Sequence, residues 1–512
     1  MERRQIEAEL QRMRLAGSEQ ELRRQAQAIA ALGPQVIPAM VGNLSKADDG
    51  LLMAMGLVSS FLDRPRIVSA LRQAVLQPDQ TDRGRVAAIT ILERFLDEAP
   101  DDDLLTSVRD PEGAALSALK AALKQFEEQP GRLAEYVEGL DRQEPDVVLA
   151  MVRALGNVAE ETPGASVECL RLMAQDVRDE IGGAALEVLG TIRLPESARA
   201  LQALIPVLST ELRPAAERLL RKLRFAGVEV QPLPAPDAGW RAMVSPVDGL
   251  GQQSLWFVQQ EQMTGYARFL NVLLNDRAGA VEAAGHGQVP LHVLPPRRPT
   301  GSVHDIALPD GSSGLLMLEI SFDMGRRLVR DALAQNRETQ IPVASALRLL
   351  GAWLWSASGA DDLPPSRLPA LPETESAVQH LALQGEALLR HPAFMTWTLR
   401  SETLLRAAET MLRQGRGLES RVSRLAVEIV DPGTAELLRR RLLAMSEWLW
   451  LAGESDLAKQ AMATAEGMSS SPQALPFVHA LIRRDLALWS HSLRHQPGTL
   501  REQEEEESEG GM

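Results

Sequence analysis

Residues able to hold a metal ion gather in one stretch, "GHGQVPLHVLPPRRPTGSVHD" (285–305), which carries His286, His292, His304 and Asp305. Zinc takes three or four N, O or S ligands converging on a tetrahedron. Successive histidines here stand six and twelve residues apart, and these spacings match no motif that fixes such a geometry. The expectation is exposed loop histidines, with no metal site and no cofactor.

Other chemistries have less to stand on. Cys169 is the one cysteine, which excludes an intramolecular disulfide and a multi-cysteine zinc site. It lies in "ASVECLRLM" at helical spacing among Val167, Leu170 and Met173, and reads as a small core residue rather than a reactive thiol. There is no G-x-S-x-G elbow to present a strained serine. There is no G-x-x-x-x-G-K-[ST] loop to cradle a phosphate. "LNDRAGAVEAAGHG" (274–287) groups Asn275, Asp276, Arg277 and Glu282 beside glycines; a polar pocket and a turn with a local Asp–Arg pair explain it equally. No catalytic residue is assigned.

Aromatic residues offer binding rather than catalysis. "AWLWS" (352–356) and "EWLWLA" (447–452) place Trp353 and Trp355, and Trp448 and Trp450, two residues apart. On a helix such pairs face different directions. One of each pair is expected in the core and the other toward a neighbouring helix or a partner, where tryptophan is a favoured anchor.

The elements that would position these residues follow from composition and periodicity. The chain has 512 residues, is 45% hydrophobic and 24% charged, and carries a formal charge of −15. That balance is globular and argues against a general nucleic-acid or anionic-membrane binder. The basic clusters "RLLRKLRF" (218–225) and "LLRRRLL" (437–443) lie on predicted helices, as solvated faces or helix ends. The N-terminus has no secretory signal and the longest apolar run, residues 50–62, is too short to span a bilayer. A soluble cytoplasmic protein is expected.

The first half repeats itself. "MVRALGNVAEETPGASVECLRLM" (151–173) and "ALEVLGTIRLPESARALQALIPVL" (185–208) align with Gly156 over Gly190, an offset of 34 residues. In each a helix is expected to end at Leu-Gly, a link with a proline follows, and a second apolar helix comes after. Residues 28–44 share the form, and residues 82–108 are a looser copy. Stacked helix pairs bury a continuous core that no single pair can build. The pattern resembles HEAT repeats and the related phycobilisome-lyase-type HEAT-like repeats, over roughly residues 20–225. The resemblance implies an α-solenoid, an architecture that serves mostly as a binding scaffold.

Beyond residue 228 the pattern changes. Short β-like runs, 240–247, 254–260, 269–275, 289–294 and 314–321, are bounded by turns such as "DGLG" (248–251) and "PDGSSG" (309–314). The predicted organisation is mainly α: a HEAT-like solenoid at 1–227 and a small α+β module with β-hairpins at 228–322. A C-terminal helical domain at 323–495 follows, with a Pro-rich loop at 356–376, and then a disordered acidic tail at 496–512. Within the C-terminal domain, residues 442–468 resemble one tetratricopeptide hairpin, with Gly453 and Glu454 at the turn and Ala458 and Ala465 at the small packing positions.

Clear repetition without a catalytic motif predicts a non-enzymatic protein–protein interaction scaffold or adaptor. Its partner would be a protein or peptide with a basic patch, with no nucleic acid and no membrane. An enzyme or ligand-binding protein with its site in the central module is the alternative, as is a bilin-lyase-like chaperone. HEAT-like DNA glycosylases need a basic groove, whereas residues 1–230 hold 28 Lys and Arg against 36 Asp and Glu.

Overall fold

Side-chain caps set the helix starts along the first part of the chain. Asp48, Asp63, Thr81, Asp101 and Asp110 each accept a backbone N–H from the first helical turn that follows, at 2.8–3.3 Å. The expected link "DEAPDDD" thus contributes Asp101 as the cap of a short helix, Asp102–Thr106.

A computed structural model describes residues 3–13, 19–237, 239–260, 265–307, 314–399, 401–414 and 419–495. The acidic tail and most of the "PDGSSG" turn lie outside the described residues. The fold is mainly helical, with a six-stranded antiparallel sheet in the middle of the chain. Packing divides it into two compact units, Met1–Tyr136 with Gln143–Leu170, and Val137–Arg142 with Arg171–Met512. Among the described residues no helix is long and apolar enough to cross a membrane.

Among the described residues every regular element of the first unit is a helix. Leu10, Met40, Leu44, Leu51, Met55, Ile67, Leu71 and Leu92 form its core. Helix Asp49–Ser60 meets helix Asp82–Leu96 at Gly56, where an added β-carbon would collide with the Phe95 ring. Cys169 is fully buried, and burial pushes its thiol up to about 12. It behaves as a small apolar side chain, as expected.

The Leu-Gly pairs hold in part. Helix Asp179–Leu189 stops at Gly190, and Gly33 takes a left-handed φ of 78° after helix Glu19–Ala30. Helix Pro145–Val158, however, runs through Gly156. The Gly190 backbone is right-handed, with φ −69°. Its lack of a side chain instead admits Leu219, whose Cβ would lie 3.1 Å from an added β-carbon.

In the second unit the strands are β1 (Trp240–Val244), β2 (Gln252–Gln260), β3 (Tyr266–Asn275), β4 (Gly279–Pro290), β5 (Val303–Ile306) and β6 (Leu315–Ile320). Their order is β4-β3-β2-β1-β6-β5. The "DGLG" turn closes the β1–β2 hairpin as expected: Asp248 Oδ1 accepts from Leu250 N and Gln252 N at 2.8 and 2.7 Å, and Gly251 supplies a φ of 81°. The strand expected at 289–294 is corrected. Pro290 ends β4, and Leu291–Val293 is a 3-10 turn.

One face of the sheet, with Ala242, Val244, Leu255, Phe257, Leu270, Val272 and Leu318, joins a helical core that continues to Leu486. The boundary expected at residue 322 therefore does not separate a module. Helix Phe322–Thr339 lies so close to the sheet that a β-carbon on Gly325 would sit 2.6 Å from Phe257. Helices Pro432–Leu451 and Ser455–Ser470 make a hairpin about Gly453, with Ala458, Ala461 and Ala465 buried. All eight tryptophans lie in this unit.

Asp485, on helix Pro476–His495, is almost fully buried and accepts the Leu399 N–H at 2.6 Å. Burial raises its pKa to about 6 despite that hydrogen bond and the neighbouring Arg484. Because the folded value exceeds the unfolded one, ionisation costs stability as pH rises from about 4 to about 6. Asp485→Asn keeps the acceptor and removes the charge. Denaturant titrations should show the variant stabilised at pH 8, by about 3 kcal/mol at most, and unchanged near pH 4. Equal effects at both pH values would contradict this account.

Candidate functional site

The four residues of the histidine-bearing stretch do not converge. His286 is exposed on β4 and His304 is buried on β5, the opposite edge strands of the sheet. Five strand spacings of about 4.8 Å separate those edges. His292 lies exposed in the 3-10 turn, and Asp305 points to solvent beside His304. The expectation of exposed loop histidines is corrected for two of the three: His304 is buried on a strand, and His286 is exposed but also on a strand. Asn275 and Asp276 of the stretch 274–287 are engaged by the fold itself. Asn275 Oδ1 accepts from Arg277 N and Ala278 N at 2.9 and 3.1 Å, closing the β3–β4 turn. Asp276 pairs with Arg441 at 2.6 Å instead of its neighbour Arg277.

Strand alternation explains where His304 points. In the register, His304 faces Met317 and Glu319 faces Met243, so these side chains share the second face of the sheet with Arg241. Met243, Val258, Ala267 and Met317 form a small core there, covered by Leu291 and Leu294. Arg241 Nη1 donates to Glu319 Oε1 at 3.1 Å and to Pro296 O at 3.2 Å, and Nη2 donates to Pro295 O. His304 Nε2 lies 3.3 Å from Glu319 Oε2 without the alignment of a hydrogen bond. Gly301 N–H donates to Glu319 O at 2.8 Å, and Glu319 N–H donates to Ser302 O at 2.9 Å. The strap 295–302 is therefore fastened across the charged cluster.

Burial lowers the His304 pKa, opposed by attraction to Glu319. A histidine beside a carboxylate has the parts of a proton relay. Here the two residues are only 3% and 2% exposed, so the cluster works as a sealed ion pair holding the strap. Charged residues at inward positions of β1 and β6 were the sequence signal for it, hidden within apolar runs.

One member of each tryptophan pair lies in the core. Trp355 and Trp448 are buried, and Trp448 Nε1 donates to Val244 O at 3.1 Å. Trp353 is half-buried under Arg268, 5.9 Å from the ring centroid, and Trp450 is 37% exposed.

A larger concavity was not foreseen. Helices Asp179–Leu189, Arg213–Phe225 and Phe322–Thr339, with the connection that carries Pro206 to Glu211, border an open cleft of about 810 Å³. Its wall presents Asp179, Glu211, Glu217, Asp331 and Glu338. Two of its three arginines serve backbone carbonyls: Arg337 donates to Val207 O at 2.7 Å, and Arg213 to Ile205 O at 3.0 Å. Burial lowers the Arg337 pKa and raises that of Asp331. A neutral or anionic group gains little here, whereas a cation meets several carboxylates.

Removing one partner of a buried ion pair typically costs about 3–5 kcal/mol, because the other charge stays buried. Glu319→Leu leaves Arg241 uncompensated and should destabilise the second unit by that order, read as a lower midpoint in tryptophan-detected urea unfolding. A loss below about 1 kcal/mol would show that the strap does not depend on the pair. No protein-family model, curated protein or solved structure was found to match this chain.

Proposed function

We propose that this chain is a non-enzymatic protein–protein interaction scaffold built on HEAT-like repeats, and that the carboxylate-walled cleft of its second unit receives a basic segment of a protein partner. The observation that carries the reading is the cleft: about 810 Å³, open, with five carboxylates against three arginines. Complementary charge of this kind steers association and selects partners. The repeat reading is supported by helix starts at Pro145, Asp179 and Arg213, which stand 34 residues apart. An interhelical link leads from each to a second helix at Pro163 and Pro195 for the first two. The histidines of residues 285–305 are spread across the sheet, with His304 sealed beneath its strap.

A fluorescein-labelled peptide of alternating lysine and serine tests the cleft by anisotropy with the full chain. Glu211→Gln/Glu338→Gln should weaken binding roughly three- to tenfold. The control pair Glu373→Gln/Glu466→Gln, exposed and outside the cleft lining, should leave it within error. Equal affinity for the wild type and the cleft variant would sink the reading.

A further inference from the structure

Of the two basic clusters, one is consumed by the fold. In 437–443, Arg439 pairs with Glu436, Arg440 donates to Asp276 O, and Arg441 clamps Asp276 and Gly249 O. The other is free. On helix Arg213–Phe225, Arg218, Arg221, Lys222 and Phe225 recur at helical spacing and are all exposed, Phe225 at 90%. Arg218 reaches Glu187 at 3.5 Å in a solvated pair. Arg221, Lys222 and Arg224 form no ion pair among the described residues. A cationic stripe ending in an exposed aromatic is unusual on a chain of net charge −15, and Arg with aromatics is the composition of binding hot spots.

We infer that this stripe is the docking face for the chain's own acidic segment, Glu502 to Glu509. That segment holds six glutamates, four of them consecutive at Glu504–Glu507, and no lysine. Glu504 follows His495, the last described residue, by nine positions, a reach of up to about 30 Å. Tethering supplies an effective concentration on the order of millimolar, which lets individually weak exposed ion pairs act together. The one apolar side chain of residues 501–512, Met512, is available to the Phe225 ring, a favourable sulfur–aromatic pairing. Docked, the segment masks the anion-binding face, so an acidic partner segment has to displace it. The inference is independent of the cleft.

Zero-length carbodiimide coupling of the full chain reads the pairing directly, since it joins a carboxylate to an amine only in contact. The chain has five lysines, Lys46, Lys120, Lys124, Lys222 and Lys459, so four serve as internal controls. At low salt, peptide mapping should find Lys222 joined to Glu504–Glu507 within one chain. Raising the salt to about 0.5 M, where screening is short-ranged, should suppress that product at least fivefold. Arg218→Glu/Arg221→Glu, which keeps Lys222, should do the same at low salt. Coupling spread evenly over the lysines, no product at Lys222, or a product only between two chains would each overturn the inference, the last by making a second copy the occupant.

Discussion

Buried arginine is the fastening on which the second unit depends. Its long irregular segments leave carbonyl groups that neither helix nor sheet can pair, and an unpaired buried carbonyl is costly. Arg326 is fully buried and donates to Leu354 O, Ala357 O and Ser358 O at 3.1–3.4 Å while pairing with Asp323 at 2.6 Å. Arg484 serves Phe394 O and Trp397 O, and Arg441 serves Gly249 O. A planar guanidinium offers five donors, stays charged, and stacks on aromatic faces, as Arg326 does 5.0 Å over Phe322. Lysine's three donors all radiate from one nitrogen, so they cannot reach carbonyls spread along a plane as the fork of a guanidinium does. The preference for arginine inside this unit has that geometric cause.

The same device organises carboxylates. Glu447 receives Arg327 at 2.9 Å through both oxygens and also the Arg367 N–H at 2.8 Å, which ties the Pro-rich segment to helix Pro432–Leu451. Asp141 takes both terminal nitrogens of Arg348 at 2.9 Å. Burial raises the Asp141 pKa, partly offset by that arginine. Such pairs set geometry more than they add stability, because desolvation cancels much of the attraction. The strap over Arg241 and Glu319 follows the same rule.

Much of the helical architecture was legible because amphipathic period, proline at helix starts and Asp or Thr caps coincide. The β1–β2 hairpin was legible from "DGLG". Strand β4 was not: "GAVEAAGHGQVP" has three Ala and three Gly among its twelve residues, types with little strand preference. It forms because β3 pairs along it and because Asn336 Oδ1 accepts the Ala280 N–H at 2.8 Å, a case of packing overriding propensity. Strand β5, four residues long, was too short to stand out. His304 was legible as a residue and misread in place, since register decides whether a strand side chain faces in. The carboxylate cleft was invisible for another reason: its walls come from segments more than a hundred residues apart, and sequence spacing carries no information about that meeting.

The placement of tryptophan has a practical consequence. All eight indoles lie in the second unit, whereas the first holds only tyrosine and phenylalanine among its aromatics. Emission excited at the red edge of the absorption band therefore originates from one unit alone, while the far-ultraviolet dichroism of the helices sums over both. A single sample thus carries two spectroscopic channels that resolve the cooperativity of the chain without labels: superimposable melting curves mean one transition, and a dichroism change without an emission change isolates the indole-free unit.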